Sequence, residues 1–148
     1  MINEALEKNK DLFEFFKFMI DYRKKHPVIR KKLDNAVCGM EAMHAHDVNA
    51  ERMEVPQNAK TLAVSFAGYD RKKGKDDLVY VAVNAYWEEV KITLPNLANH
   101  GAWYLSVDTY GDEKGKYFYQ EGEEIRIDRE YVMKPRSIVV FTGREILR

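Results

Sequence analysis

The stretch Leu78–Pro95 shows the clearest alternation of apolar and polar positions in the chain. Every position in Leu78–Val83 is apolar, which is typical of a strand that is covered on both faces. Polar and apolar residues then alternate along Glu89–Leu94, which is typical of a strand with one wet face. The segment Asn84–Glu89 between them is polar and aromatic. This pattern predicts a hairpin of two strands around a tight corner, with the other strands placed around it.

The N-terminal segment shows helical periodicity from Asn3 to about Lys25. Asn3 is a suitable N-cap, with Asn9 as an alternative start, and Pro27 ends the helix. One apolar stripe at helical spacing consists of Leu12, Phe15, Phe16, Met19 and Tyr22.

Further apolar residues lie outside this stripe, because Phe13 and Ile20 form a second one and Phe18 points to another side. A surface helix normally shows a single apolar stripe. We therefore expect this helix to be buried between two bodies, of which the rest of the chain supplies only one.

Several other short segments alternate in the manner of strands, and loops rich in charged or turn-forming residues separate them. One such loop is the charged segment Asp70–Asp77. The strand candidates are Ala36–Ala45, Thr61–Tyr69, Trp103–Thr109, Tyr117–Tyr119, Glu124–Asp128, Tyr131–Met133 and Arg136–Thr142. No helices alternate with the strands, so the prediction is a mainly β fold. We expect an antiparallel Greek-key β-sandwich of about eight strands, preceded by one long N-terminal α-helix.

Composition sets loose limits on function. The 148 residues suit one domain with an appended element, and 24 basic residues balance 24 acidic residues. This balance argues against a dedicated nucleic-acid or acidic-membrane binder. The single cysteine, Cys38, excludes an internal disulfide. No apolar stretch is long enough to span a bilayer, and the polar N-terminus does not resemble a signal peptide, so we expect a cytoplasmic location.

Candidate chemistry is sparse, since no nucleophile-elbow, zinc-protease, paired-cysteine, Walker or dinucleotide motif occurs. His44 and His46 could face one side of a strand beside Asp47, but the sequence nominates no further ligands, which favours a polar strand end over a metal site. Cys38 lies in an apolar context typical of a buried thiol. The basic runs near Arg23 and Arg71 suit solvated surface, with a phosphate or partner contact as the alternative. We expect no catalytic residue, metal or cofactor.

Aromatic residues are the better functional lead in the second half of the chain. Rings of this kind pack in cores, and they also stack on the apolar faces of sugars. Core or interdomain packing is the favoured interpretation for most of them. The candidates for carbohydrate contact are Trp87, Tyr86 and Tyr110, of which Trp87 and Tyr110 are expected to be the most exposed.

Two groups of segments carry a family resemblance. The run LFEFFKFMIDYRKKHPVIR resembles the last barrel helix and exit segment of α-amylase-superfamily glycoside hydrolases. The runs KTLAVSFAG, DDLVYVAVNAYWEEVKITLP, WYLSVDT and PRSIVVFTG resemble the C-terminal β-domain of the isoamylase and glycogen-debranching branch. The loop Met43–Pro56 departs from that branch, because Met43, His44 and Ala45 stand where relatives tend to carry a Trp-His-Gly-like segment.

The resemblance implies that residues 1–33 are the last helix and exit segment of a missing catalytic barrel, and that residues 34–148 are a C-terminal β-sandwich. The implied parent hydrolyses α-1,6 linkages of α-glucans with two carboxylates that lie in the barrel. This chain alone is then not an enzyme. Its partners would be the barrel of the same protein and α-glucan, with no nucleic acid and no membrane. The barrel-packing candidates are Phe13, Phe16, Phe18 and Ile20, and their exposure would favour a homodimer.

Two alternatives of other classes remain open at this point. One is a stand-alone α-glucan-binding module that uses the aromatic residues directly. The other is a protein-interaction domain that docks through its helix.

Overall fold

A computed structural model describes residues 9–46, 60–97 and 101–145 of the chain. Helix α1 spans Lys10–Lys25, and a short 3-10 helix follows at Pro27–Ile29. The strands are β1 Met43–His46, β2 Thr61–Asp70, β3 Lys75–Asn84, β4 Val90–Thr93, β5 Gly101–Asp108, β6 Ile125–Ile127, β7 Glu130–Met133 and β8 Ser137–Glu145. The described part of the chain therefore has eight strands and is mainly β, as predicted.

The strands form two antiparallel sheets. The larger sheet has the order β1-β2-β3-β8-β5-β6, and β4 pairs with β7 in a second sheet of two strands. The last strand, β8, begins four residues after the end of β7 and returns to the larger sheet, where it lies between β3 and β5. This return is a crossover of the Greek-key kind, so the predicted antiparallel sandwich is confirmed.

The predicted pairing within Leu78–Pro95 is wrong. Strand β3 pairs with β2 on one edge and with β8 on the other, so neither edge is free for β4. At the corner Asn84–Glu89 the chain leaves the larger sheet, and β4 then pairs with β7. The alternation along each strand was interpreted correctly, but alternation does not say which strands are neighbours.

Three further segment predictions need correction. The strand expected within Ala36–Ala45 is present but starts only at Met43 and extends to His46. The Asp76 carboxylate accepts hydrogen bonds from the amides of Val37 and Cys38 at 2.8 and 2.9 Å and holds them in a turn. Strand β3 already begins at Lys75, so the loop predicted over Asp70–Asp77 is a much shorter turn. The aromatic segment Tyr117–Tyr119 forms a single bridge between Phe118 and Val107.

The main core lies between the two sheets. Trp103, Tyr80 and Phe141 come from three neighbouring strands of the larger sheet, and each is at most 1% exposed. Ile92 and Met133 of the smaller sheet pack against them. The indole N–H of Trp103 donates a 2.8 Å hydrogen bond to the carbonyl of Pro95, so the buried polar atom of this ring is satisfied.

A second core lies on the opposite face of the larger sheet, beneath α1. Val79, Val107 and Val140 project from the sheet, and Phe18 and Tyr22 project from the helix. Successive residues of β3, Val79 and Tyr80, are thus both fully buried, in different cores. This confirms the prediction that this strand is covered on both faces, except at Val83, which is 37% exposed. It also makes α1 one outer layer of the molecule.

Helix α1 begins at Lys10 with Asn9 at the N-cap position, in agreement with the alternative start. The other proposed start, Asn3, lies outside the described residues. The helix ends before Pro27 as predicted, with three cationic residues in its last turn. Cations at this position interact favourably with the negative end of the helix dipole.

Candidate functional site

Buried polar contacts hold α1 on the larger sheet. The hydroxyl of Tyr22 lies 2.7 Å from Oγ1 of Thr142, which in turn lies 2.7 Å from Oγ of Ser106. Tyr22 is 6% exposed, and burial raises the pKa of its hydroxyl well above the usual range. The chain of three hydroxyls fixes the position of the helix above β5 and β8, because each buried oxygen needs its neighbour as a hydrogen-bond partner.

Both ends of the helix are also anchored. After the C-terminus, Nδ1 of His26 lies 2.7 Å from one carboxylate oxygen of Asp77, and the amide of Val28 donates to the other oxygen at 3.1 Å. Near the N-terminus, the hydroxyl of Tyr117 donates a 2.7 Å hydrogen bond to the carbonyl of Asp11. These contacts fix which face of the helix points at the sheet.

The outward face of α1 is apolar, and nothing in the described structure covers it. We call this surface the outer helix face. It consists of Leu12, Phe13, Phe16 and Ile20, which are 52%, 49%, 59% and 57% exposed. Large apolar side chains grouped in this way are uncommon on a monomer and usually mark an interaction site.

The structure places three of the four barrel-packing candidates, Phe13, Phe16 and Ile20, on this face. Phe18 points the other way, where it is 7% exposed and its ring centre lies 4.9 Å from that of Phe118. Phe18 is therefore covered by this chain and does not belong to the outer helix face. Sequence analysis missed Leu12 as a member of that face, because it assigned Leu12 to the main stripe.

The buried face of α1 corresponds to one of several sets of apolar positions at helical spacing in the sequence. Phe15, Phe18, Met19 and Tyr22 have the spacing i, i+3, i+4 and i+7, and all four pack in the core beneath the helix. Choosing this set as the stripe leaves Leu12, Phe16 and Ile20, which follow one another at intervals of four, on the opposite face.

The corner between β3 and β4 presents a second candidate surface. Asn84 is 1% exposed, and its side-chain amide donates to the carbonyls of Glu88 and Lys134 at 3.0 and 3.1 Å. Its side-chain oxygen accepts a 3.0 Å hydrogen bond from the amide of Tyr86. One buried side chain thus determines the path of the corner and the positions of the aromatic residues on it.

The three carbohydrate-contact candidates differ in exposure. Trp87 and Tyr110 are 64% and 60% exposed, as expected, whereas Tyr86 is half-buried and the Lys60 ammonium lies 4.0 Å from its ring centre. The rings of Tyr86 and Trp87 are 5.5 Å apart and inclined at 61°, so they do not form one flat surface.

Lys134 connects the corner to Tyr110. Its ammonium lies 2.8 Å from a carboxylate oxygen of Glu89 and 5.9 Å from the ring centre of Tyr110. The hydrogen bond to Glu89 raises the pKa of Lys134, so this side chain is charged near neutral pH. The surface at the corner therefore combines two exposed rings with one cation and one carboxylate, a mixture that suits hydroxyl-rich ligands as well as water.

The other candidates from the sequence have ordinary local contacts. His44 and His46 lie side by side with ring centres 4.8 Å apart, but His46 Nε2 bonds Ser65 Oγ at 2.8 Å and His44 Nδ1 bonds Glu41 at 3.0 Å. Asp47 lies outside the described residues. Within the described ranges, no three histidine, cysteine or acidic side chains are grouped as metal ligands would be. Burial raises the pKa of the half-buried Cys38 thiol, so it is less reactive than a free thiol.

Comparison with known families decides what kind of domain this is. A family model described as "Isoamylase, C-terminal" matches residues 36–142, well over half of the chain. The chain belongs to the isoamylase C-terminal family. A search of curated proteins gives no match to it. Isoamylase C-terminal domains are non-catalytic parts of isoamylase-type glycoside hydrolases, and the family assigned by resemblance is thus confirmed.

The matched residues place the two candidate surfaces differently. The match begins at residue 36, so the corner and Tyr110 lie inside the isoamylase C-terminal domain, whereas α1 precedes it. No helix in the described residues is long and apolar enough to cross a lipid bilayer.

Proposed function

We propose that this chain is the C-terminal part of a debranching enzyme that hydrolyses α-1,6 linkages of α-glucans, and that it packs against the catalytic barrel of the same protein. In this proposal, residues 1–33 are the last helix and exit segment of the barrel, and residues 34–148 are the β-sandwich. The chain itself carries no catalytic residue, because the two carboxylates of such a reaction belong to the barrel. Its function is to cover the barrel and to hold the last helix in place.

The observation that carries this proposal is the outer helix face. On the sheet-facing side of α1, Phe18 and Tyr22 pack in the core and the Tyr22 hydroxyl has its hydrogen-bond partner. The opposite side is also apolar, but it is exposed. Burying the exposed halves of Leu12, Phe13, Phe16 and Ile20 would contribute about 4 kcal/mol, at about 1 kcal/mol per side chain. A helix between a sandwich and a barrel would use both faces in this way.

Fragment complementation tests the proposal. The barrel encoded in the same protein is produced as a separate tagged polypeptide, and capture of this chain is measured. We expect capture in a 1:1 ratio, at least ten times weaker with Phe16→Glu, because a carboxylate cannot be buried unpaired in that contact. Val132→Glu is the matched control, since Val132 is a similarly exposed apolar residue, 47% exposed on β7. Equal capture of both variants, or a gene without a barrel, would refute the proposal.

A second copy of the chain is the alternative occupant of the outer helix face. Sedimentation velocity of the chain alone distinguishes the two. A dimer that Phe16→Glu converts to a monomer, together with no capture by the barrel, would identify a protein-interaction domain that docks through its helix. A monomer at all concentrations used for capture favours the barrel.

Contact with α-glucan at the corner is a second proposed role, favoured by the exposure of Trp87 and Tyr110. Exposed rings are available for stacking on the apolar face of a glucose unit. Buried aromatics such as Trp103 and Tyr119 are parts of the core and are not available to ligand.

Affinity electrophoresis in native gels with and without glycogen tests this role. We expect glycogen to retard the chain, and Trp87→Ala to remove most of the retardation. Phe16→Ala, which removes a similarly exposed ring from the outer helix face, should leave the retardation unchanged. If the unsubstituted chain runs identically in both gels, the corner has only a structural role. If glycogen retards the chain but the barrel does not capture it, the chain is instead a stand-alone glucan-binding module.

A further inference from the structure

The two basic runs of the sequence converge in space. The first runs from the end of α1 to Lys32, and the second is the turn between β2 and β3 at residues 71–74, about forty residues later. Together they line an open groove of about 630 Å³. This volume is in the usual range of small-ligand sites. We call it the basic groove.

The basic groove concentrates charge in a chain that has none overall. Eight lysine and arginine side chains and two aspartates line it, an excess of six positive charges. The whole chain has a formal net charge of zero, so the remainder of the molecule has a net charge of −6. A local field of this sign attracts anions to the groove, while the rest of the surface repels them.

Most of these cations are not neutralised by carboxylates. Asp34 pairs with Arg71, and Asp21 and Glu121 lie 3.0 and 3.6 Å from the ammonium of Lys25. Asp70 is buried, and its carboxylate accepts the amide of Lys72 at 3.0 Å within the turn. The exposed cations without a carboxylate partner among the described residues are Lys24, Arg30, Lys31, Lys32, Lys72 and Lys73.

Hydrogen bonds to the end of α1 fix the two sides of the groove. The guanidinium of Arg30 donates to the carbonyls of Arg23 and Lys24 at 2.9 and 3.4 Å, and the ammonium of Lys73 bonds the carbonyl of Lys25. These bonds tie the exit segment and the β2–β3 turn to the end of α1. Because their acceptors are neutral carbonyls, the positive charges of Arg30 and Lys73 remain available to a ligand.

We propose that the basic groove binds a small anion with several linked phosphoryl groups, such as an oligophosphate or the triphosphate tail of a nucleotide. Flexible lysine side chains can follow the closely spaced negative charges of such a ligand. A ligand with a single carboxylate would be better matched by the planar, bidentate guanidinium of arginine. Among the described residues, the only aromatic side chain that lines the groove is Tyr69, which is half-buried, so the groove lacks the cluster of exposed rings that commonly anchors protein partners. An extended nucleic acid would meet the negative remainder of the surface, which a compact anion avoids.

Isothermal titration calorimetry with inorganic tripolyphosphate tests this site. We expect one binding event per chain at low ionic strength, and weaker binding at physiological salt because screening reduces the attraction. Orthophosphate should bind about tenfold more weakly, since it offers fewer charges. If adenosine triphosphate binds with the same affinity as tripolyphosphate, the groove recognises the phosphoryl chain alone. If adenosine triphosphate binds more tightly, the ligand is a nucleotide.

A triple variant tests the location of the site. Lys31→Gln, Lys32→Gln and Lys72→Gln together keep polar, unbranched side chains but remove three exposed charges. The fold should therefore be retained, and affinity should fall about tenfold or more. The matched control replaces Lys91, Lys114 and Lys116, which lie outside the groove, with glutamine. No binding of tripolyphosphate, or equal losses in the two triple variants, would overturn the proposal. Either result leaves the barrel-capture test unaffected.

Discussion

The two faces of α1 differ so strongly in burial that substitutions of one phenylalanine on each face should have very different effects on stability. Phe18 and Phe16 are two positions apart on the same helix, but Phe18 is 7% exposed and Phe16 is 59% exposed. The Phe18 ring lies 4.9 Å from the ring of Phe118 and 6.0 Å from that of Tyr22, measured between ring centres. Phe18→Ala therefore opens a cavity between helix and sheet, whereas Phe16→Ala removes a ring that is mostly in water.

The magnitudes follow from this difference. Phe18→Ala should lower the free energy of unfolding by about 3 kcal/mol, the lower end of the usual range for a buried phenylalanine because an edge helix can partly close the cavity. Phe16→Ala should change it by less than about 0.5 kcal/mol, since the lost apolar contact is small and alanine has the better helix propensity. The expected difference of roughly 2.5 kcal/mol is a large part of the stability of a small domain.

Urea denaturation with two probes measures both values. Far-ultraviolet circular dichroism follows the whole chain. The change in tryptophan fluorescence reports mainly on Trp103, which is 1% exposed in the main core, because Trp87 is already 64% exposed in the folded state. If Phe18→Ala only loosens α1, the dichroism will change at lower urea than the fluorescence. A difference below about 1 kcal/mol between the two variants would refute the assignment of the two helix faces.

Two further predictions concern single buried side chains. Asn84→Ala should lower the free energy of unfolding by about 2–4 kcal/mol, because it removes the three hydrogen bonds of one buried amide, with the carbonyls of Glu88 and Lys134 and with the N–H of Tyr86. A loss in urea denaturation below about 1 kcal/mol would contradict the corner network. Tyr22 has a raised pKa in the folded state, so the unfolded chain loses this proton first as pH rises. The stabilising contribution of the Tyr22 hydroxyl is thus complete below about pH 10 and declines by up to about 1.4 kcal/mol per pH unit above it. Tyr22→Phe should flatten the alkaline part of a stability profile measured by urea midpoints, and an unchanged slope would mean that Tyr22 is not buried.

The sequence alone determined the type of most elements and the burial pattern of the clearest strands. Strict alternation in Glu89–Leu94 and the doubly apolar run Leu78–Val83 indicated a one-sided and a two-sided strand, because side chains alternate between the faces of a strand. Pro27 marked the end of α1, and Asn9 was one of two candidate starts, for reasons of local backbone geometry. The segments that resemble the isoamylase branch also identified the family before any contact was known.

The pairing of the strands and the orientation of α1 were decided only by the tertiary structure. Alternation leaves strand pairing open, so the sequence could not show that β8 occupies the edge of β3 on which a hairpin had been predicted. The helix has apolar residues on several sides, and hydrophobicity alone does not rank them. The hydroxyls of Thr142 and Ser106 select the side that carries Tyr22, because a buried hydroxyl needs a partner.

The basic groove depends on the fold in the same way. Each basic run by itself has the composition of ordinary solvated surface, and charge counted over the whole chain cancels. The two runs become one site because β2 and β3 pair in a register that brings their turn to the end of α1, where Lys73 bonds the carbonyl of Lys25. Long-range strand register determines such proximity, and local sequence patterns carry no information about it.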